Sequence, residues 1–187
     1  MRNQLAVGER IYLRRIEESD AGVLSRYWSE ETEVDFYEDG RVPTSVLAFE
    51  HWLRPLAAGA IPREMMFAIC RIADDRCIGS VSIRHIDLVN GTAETGSGLF
   101  NAELRSKGIG TEAKHLLLRY GFEVLGLHAI SSSVFSGNAR SAAALRKQGY
   151  RLAGRLTADV HRRGQFMDTL MFDLLRPEWE AAARKHS

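Results

Sequence analysis

Apolar and polar positions change rhythm several times along the chain, and each change marks an element. Residues 10–16 (RIYLRRI) alternate and are rich in β-branched and aromatic side chains, which predicts a strand. Ser19-Asp20 supplies an N-cap for a helix over 21–29, and Thr44 or Ser45 caps a second one that ends near Ala58. Two apolar runs, 66–73 and 77–86, flank Asp74-Asp75-Arg76 and read as a hairpin. Residues 93–100 form another strand, carrying Gly96 and Gly98. Glycine inside a strand marks a bulge or a close backbone approach. From Thr111 to about Leu125, Ala113, Leu116, Leu117, Tyr120 and Val124 recur at helical spacing. A strand over 129–135 leads through Ser136-Gly137-Asn138 into a helix over 140–148, closed by Gly149. Two last strands, 151–161 and 165–174, flank Arg163-Gly164, and a short helix starts at Pro177.

The order β-α-α-β-β-β-α-β-α-β-β-α predicts an α/β fold with a mixed sheet of six or seven strands and helices on both faces. With 187 residues, 45% apolar and 26% charged, the chain reads as one domain over 1–187 that can bury a core without disulfide or metal staples. No repeat or linker interrupts it, and the four prolines (Pro43, Pro55, Pro62, Pro177) are expected at element edges. Lys plus Arg number 25 against 24 Asp plus Glu, a balance that argues against a nucleic-acid or anionic-membrane partner. No apolar run has the length to span a bilayer, and charges scattered through the first residues do not read as a signal peptide. The two cysteines, Cys70 and Cys77, make no framework and have no zinc-ligand spacing. These features point to a cytoplasmic, metal-free protein.

Arg105-Ser106-Lys107-Gly108-Ile109-Gly110 lies between a strand and a helix. Two glycines let successive N–H groups converge at a helix N-terminus, where they bind phosphate or pyrophosphate. A plain glycine turn before a helix is the competing reading. A P-loop would need Lys after the last glycine, and a dinucleotide fingerprint would need a third glycine where Ala113 stands, so both match poorly.

The segment Glu94-Thr95-Gly96 … Leu104-Arg105-Ser106-Lys107-Gly108-Ile109-Gly110-Thr111-Glu112-Ala113 resembles the acyl-CoA motif of the GNAT N-acetyltransferases. Asn138-Ala139-Arg140-Ser141 … Leu145-Arg146-Lys147-Gln148-Gly149-Tyr150 is similar to the family's next motif. The ending Asp168 … Leu174-Leu175-Arg176-Pro177-Glu178-Trp179 resembles the branch that acetylates ribosomal-protein N-termini. The likeness runs along nearly the whole chain, in order. It implies the GNAT acyl-CoA N-acyltransferase fold, acetyl-CoA as cosubstrate, and transfer to a primary amine. That amine is either a protein N-terminus or a small molecule such as a polyamine or amino sugar.

The resemblance also implies site residues. Acetyl-CoA lies in a gap between two splayed parallel strands, here 93–100 and 129–135, with Gly96 and Gly98 expected to form a bulge. Backbone groups near Leu99 and Phe100 would hold the pantetheine arm. Arg105, Ser106, Lys107, Gly108, Ile109, Gly110 and Thr111 would hold the pyrophosphate, and Asn138 would contact the arm while also serving as an N-cap. Glu94 stands where the family places a glutamate that takes the acceptor's proton, and an exposed strand residue is its plainer role. Many relatives carry a tyrosine seven residues after the Asn, as proton donor to the leaving thiolate. This chain has Leu145 there, and Ser141 is the substitute.

Glu112, in the first helical turn, reads as structural. Cys70 and Cys77 read as buried thiols, Tyr150 as core, and His161 with Arg162-Arg163 as a solvated turn, at a hairpin that in the family often borders the acceptor site. Residues 30–39 (EETEVDFYED) carry six carboxylates and no base, a cluster that either is simply solvated or steers a polycationic amine. Edge strands leave a homodimer open. The absent tyrosine keeps a second class of function in view, a non-catalytic acyl-CoA-binding or sensing domain.

Overall fold

The computed structural model describes residues 3–30, 45–58 and 63–184. Gln4–Val7 (β1) and Ile11–Arg15 (β2) pair as an antiparallel hairpin. Helices Ala21–Glu30 (α1) and Val46–Ala58 (α2) follow, then strands Met65–Arg71 (β3), Cys77–Asp87 (β4) and Thr92–Leu99 (β5). Ile109–Arg119 (α3) precedes Ala129–Phe135 (β6), and Ala139–Lys147 (α4) precedes the long hairpin Arg151–Arg162 (β7) and Gln165–Leu175 (β8). Arg176–Arg184 (α5) closes the order.

Among the described residues the strands form one eight-stranded sheet, β1-β2-β3-β4-β5-β6-β8-β7. That exceeds the expected six or seven, and the added strand is β1. It is short, lacks a buried residue and carries no alternating pattern to betray it. Every neighbouring pair is antiparallel except β5 and β6.

Strand alternation sends successive side chains to opposite layers. Ile11, Leu13, Phe67 and Ile69 join Ala113, Leu116, Leu117 and Phe122 under α3. Tyr12, Ala68 and Cys70 turn to Leu24, Phe49, Leu53 and Leu56 of α1 and α2. Helices therefore cover both faces. Tyr150 is in the α3-side core, and Cys70 is buried opposite Cys77, both as free thiols.

Three local expectations are corrected. Asp20 closes a 3-10 turn over Glu18–Asp20 rather than simply capping α1. Its carboxylate accepts from both terminal nitrogens of Arg14, at 2.8 and 2.7 Å, and from the Glu17 N–H at 2.9 Å. Pro55 lies inside α2, not at an edge, whereas Pro43, Thr44 and Pro62 fall outside the described residues. Ser45 does cap α2, its hydroxyl accepting from the Ala48 N–H at 3.1 Å. The third correction concerns Gly96 and Gly98, which form no bulge. The β4–β5 ladder runs unbroken from Gly79↔Leu99 to Arg84↔Glu94 and shifts only beyond Arg84.

The opening in the sheet comes instead from β6. It pairs with β5 at Thr92↔Ala129, Ala93↔Ile130 and Glu94↔Ser131, and no further. Past that point β5 stays with β4, and β6 stays with β8 as far as Phe135↔Thr169. A serine, a threonine and a tyrosine close the apex of the gap. Ser132 Oγ donates to the Thr95 carbonyl at 2.8 Å, and Thr95 Oγ1 lies 2.9 Å from Tyr150 Oη.

Candidate active site

A cavity of about 800 Å³ passes through this gap. One end is bounded by the turn before α3 and by the start of α4, the other by α1 and α2 on the opposite face of the sheet.

The turn is shaped by two left-handed residues, Ser106 at φ 61° and Gly108 at φ 80°. Alternation of left- and right-handed backbone gathers N–H groups into a concavity suited to an anion. A bracket from the β1–β2 hairpin holds it. Arg10 Nη1 donates to the Lys107 carbonyl at 2.7 Å, while Glu112 accepts from Arg10 Nε at 2.9 Å and from the backbone N–H groups of Arg10 and Ile11 at 2.9 and 3.3 Å. Burial alone would raise the Glu112 carboxyl, but those donors outweigh it and hold it below the usual carboxylate range. Glu112 is therefore structural, as its sequence position suggests.

Arg105, Ser106, Gly108, Gly110 and Thr111 line the cavity. Lys107 and Ile109 do not: Lys107 points to solvent, and Ile109 packs into the core. Arg105 donates to the Tyr27 hydroxyl and to the Leu99 carbonyl, both at 3.3 Å, tying the turn to α1 and to β5. Phe100 differs from expectation, because its N–H is already committed to the Ile78 carbonyl at 2.9 Å. By strand alternation the main-chain groups of Ser97 and Leu99 face the gap instead.

Across the gap, Asn138 Oδ1 accepts from the Ser141 N–H at 3.1 Å, so Asn138 is the N-cap of α4. Asn138, Ser141 and Leu145 all line the cavity.

Glu94 is not among the lining residues. Ser133 Oγ donates to Glu94 Oε1 at 2.8 Å, Arg84 Nη2 lies 3.1 Å from the same oxygen, and His85 Nδ1 lies 3.3 Å from Oε2. Burial pushes the carboxyl up, but Ser133 and Arg84 more than compensate, and it is held below the ordinary glutamate value. Glu94 is thus ionised throughout the neutral range and braced from three sides, with Arg84 and Ser133 between it and the cavity.

Residues that the sequence reading missed form the far chamber. Tyr27, Trp28, Phe49 and Trp52 provide aromatic walls, and Glu64 and Arg84 provide charge. Alternating burial along α1 and α2 marks such residues only as amphipathic faces. Lys114 was also missed, though helical periodicity places it with Gly110 and Leu117 on the sheet-facing stripe of α3. It is 2% exposed and lines the cavity. His161 and Arg162 border a second, open cleft with Ser133, Phe135, Asp159 and Thr169. The acidic stretch beyond Glu30 lies outside the described residues. Among the described residues no group of three His, Cys, Asp or Glu could hold a metal ion, and no helix is long and apolar enough to cross a membrane.

A family model described as an acetyltransferase (GNAT) domain matches residues 10–151. The uncharacterized N-acetyltransferase p20 of Bacillus licheniformis is 31% identical over 172 residues, spanning 91% of this chain and 96% of that protein. YdaF of Bacillus subtilis, a candidate ribosomal N-acetyltransferase, is 32% identical over 107 residues, 57% of this chain and 58% of YdaF. Among solved structures, the spermidine N-acetyltransferase of Vibrio cholerae in complex with CoA and spermine aligns at a TM-score of 0.82. The match covers 91% of this chain and 98% of that one at 19% identity, a likeness of fold. The splayed strands, the turn shaped to suit an anion and the family match along most of the sequence agree: the chain belongs to the GNAT acetyltransferase family and is an N-acetyltransferase with acetyl-CoA as its acetyl donor.

Proposed function

We propose that the protein acetylates a primary amine by direct transfer, with acetyl-CoA and the amine held together in one cavity. The observation that carries this reading is the continuity of that cavity, from the turn at 106–108, through the gap, to the aromatic chamber on the other face. Neither Cys70 nor Cys77 lines it, so no thiol is placed to carry the acetyl group between two half-reactions.

The parts divide as follows. Main-chain N–H groups of the turn and the N-terminus of α3 receive the pyrophosphate, with Arg105 and Thr111 beside them. Ser97 and Leu99 pair with the pantetheine arm, and Asn138 meets it from α4. The amine enters between Trp28, Phe49 and Trp52, whose faces attract a cation and cover its carbon skeleton. Glu64 supplies the anion that draws it in.

An amine with a pKa near 10 is mostly protonated at neutral pH, so its proton must leave before it can attack. Glu94, ionised and held by Arg84 and Ser133, takes that proton through water. The new N–C bond forms as the C–S bond breaks, and Ser141 donates a hydrogen bond to the departing sulfur. The acidic stretch 30–39 adds a second draw on polycations. A polycationic acceptor is then expected to bind less tightly as salt rises.

The test is thiol release from acetyl-CoA against an amine panel of polyamines, amino sugars, aminoglycosides, amino acids and short peptides with varied N-termini. Stimulation by one class supports direct transfer and identifies the acceptor chemistry. Acetyl-CoA binding with no amine raising thiol release would favour the acyl-CoA sensing domain, a reading that Leu145 in place of the usual tyrosine supports.

A further inference from the structure

Lys114 has no place in the reaction just described, yet its position is costly. A lysine head group is seldom this deeply buried without a partner, because leaving water penalises the ammonium. Here the side chain is 2% exposed. Among the described residues its Nζ has no hydrogen bond or salt bridge. It lies one helical turn beyond Gly110 on the sheet-facing side of α3, and it lines the cavity together with Thr95, Gly96, Ser132 and Ser133, the residues at the apex of the gap.

The charged groups that face it are Glu94 from β5, which favours the ammonium, and Arg84 from β4, which opposes it. The other titratable group at this level is Tyr150, just past α4. Its hydroxyl is paired with Thr95, and burial pushes its pKa well above the ordinary value. β6 contributes only the hydroxyls of Ser131, Ser132 and Ser133. Among the described residues, therefore, nothing uses the Lys114 proton.

We propose that Lys114, rather than Ser141, is the proton donor to the departing CoA sulfur, standing in for the tyrosine that Leu145 replaces. The inference rests on the direct-transfer reading. As the thioester C–S bond breaks, its electron pair stays on sulfur. A proton then passes from the Lys114 ammonium to that sulfur, leaving CoA thiol and a neutral lysine. The lysine regains a proton from solvent as products leave. Ser141 orients the sulfur by a hydrogen bond but keeps its own proton, since an aliphatic hydroxyl is far less acidic than a thiol. Burial suits Lys114 to the task, because it pushes the ammonium down to about 7, where proton transfer near neutral pH is most effective.

The experiment compares wild type with Lys114→Met and Lys114→Arg. For each, kcat and KM for acetyl-CoA are measured from about pH 6 to about pH 9, and bound CoA is titrated by the ultraviolet absorption of its thiolate. Lys114→Met is expected to lower kcat by about 10²-fold with KM for acetyl-CoA little changed. The wild-type decline of kcat as pH rises through about 7 should vanish in that variant. Arg keeps the charge but does not release its proton, so Lys114→Arg should not restore the rate. In wild type the ammonium should draw the pKa of bound CoA below the ordinary thiol value of about 8.5, and Lys114→Met should lose that shift.

Folding provides a check on the variant itself. Removing a buried, unpaired ammonium should leave Tm unchanged or raise it. The gain should be largest below about pH 7, where Lys114 is charged in the folded protein, and should shrink as pH rises above that. A drop in Tm would mark Lys114 as structural. Unchanged kcat and an unchanged thiolate titration in a stable Lys114→Met would overturn the proposal, and so would full rescue by Arg. A preference for acyl chains ending in a carboxylate, lost in Lys114→Met with the acetyl-CoA profile intact, would assign Lys114 to acyl recognition and overturn it equally. If CoA binds but no amine is acetylated, the direct-transfer reading fails, while the thiolate titration still reports on Lys114.

Discussion

At the 106–108 end, the cavity wall is largely main chain. Its shape comes from two positive φ angles, and the bracket of Arg10 and Glu112 grips backbone atoms as well as each other. At the other end the wall is side chain, brought by α1, α2, β4 and the residue before β3: Tyr27, Trp28, Phe49, Trp52, Arg84 and Glu64. On the proposed reading the first end takes a pyrophosphate, which N–H groups that every residue carries can recognise, so many side chains would serve there if the glycines stay. The same reading gives the other end to an amine, which offers no such uniform handle and calls for particular aromatic faces and charges. Substitutions should therefore act differently at the two ends, and Glu94 stands behind the wall where they meet, held by Ser133 and Arg84.

The sharpest break is expected at that junction. Glu94→Gln keeps the size of the side chain and can keep the Ser133 hydrogen bond, but it cannot take the acceptor's proton. A fall of about 10²–10⁴-fold in kcat is expected, with KM for acetyl-CoA nearly unchanged. The wild-type carboxyl is held below the ordinary glutamate range, so its contribution is present throughout neutral pH and is lost only as pH falls through that lowered value. An acid limb near pH 6 that disappears in Glu94→Gln would contradict this assignment. If kcat and KM changed together by less than about threefold, Glu94 would be merely a partner of Arg84.

Next comes the main chain of the donor half. Gly108 has φ 80°, and a Cβ there would meet Arg10 Nη2 at 3.2 Å. A β-branched residue is strained in that conformation by about 1–3 kcal/mol. Gly108→Val should therefore raise KM for acetyl-CoA by about 10–100-fold, with far less effect on KM for the amine. Isothermal titration with CoA would measure this directly, and unaltered affinity would mean that the turn does not hold the pyrophosphate.

The same division explains what could be read in advance. Alternation and glycine spacing leave a local trace: the 105–111 turn was legible from its glycines before a helix, and each strand from β2 to β8 was anticipated within a few residues. Asn138, Ser141 and the gap between the strands were expected only from the likeness of the motifs to the family's, since no periodicity marks a strand that loses its neighbour. Lys107 and Ile109 belonged to the same motif but face away, because a tight turn alternates its side chains between cavity, solvent and core. The bulge expected at Gly96 and Gly98 failed for a related reason. Glycine there makes room: a Cβ on Gly96 would meet Ser82 Oγ at 2.9 Å, while the backbone stays in register. Trp28, Trp52 and Glu64 left no trace, since their convergence depends on how α1 and α2 cross the sheet, which no local pattern encodes.

A moderate effect is expected in the aromatic chamber. Trp52 packs edge-on against Phe49, with ring centroids 6.1 Å apart, and remains 41% exposed. Truncation to Ala removes one wall without opening the core. It should raise KM for the amine by about two- to tenfold, corresponding to roughly 0.5–1.5 kcal/mol of aromatic contact, and leave CoA affinity unaltered. Equal changes in both constants would mean that the two halves are coupled through α2.

The smallest effect sharpens the comparison most. Lys107 belongs to the anion-binding motif by sequence, and a basic residue beside a pyrophosphate invites the view that its charge matters. In the structure its side chain points to solvent, while its carbonyl is the atom gripped by Arg10. An exposed charge contributes under about 1 kcal/mol and is screened by salt. Lys107→Ala should accordingly change CoA affinity by less than about threefold, and the difference should fade as ionic strength rises. A loss approaching that of Gly108→Val would mean that the donor half depends on side-chain charge as the acceptor half does. The distinction between a main-chain site and a side-chain site would then fail where it is easiest to test.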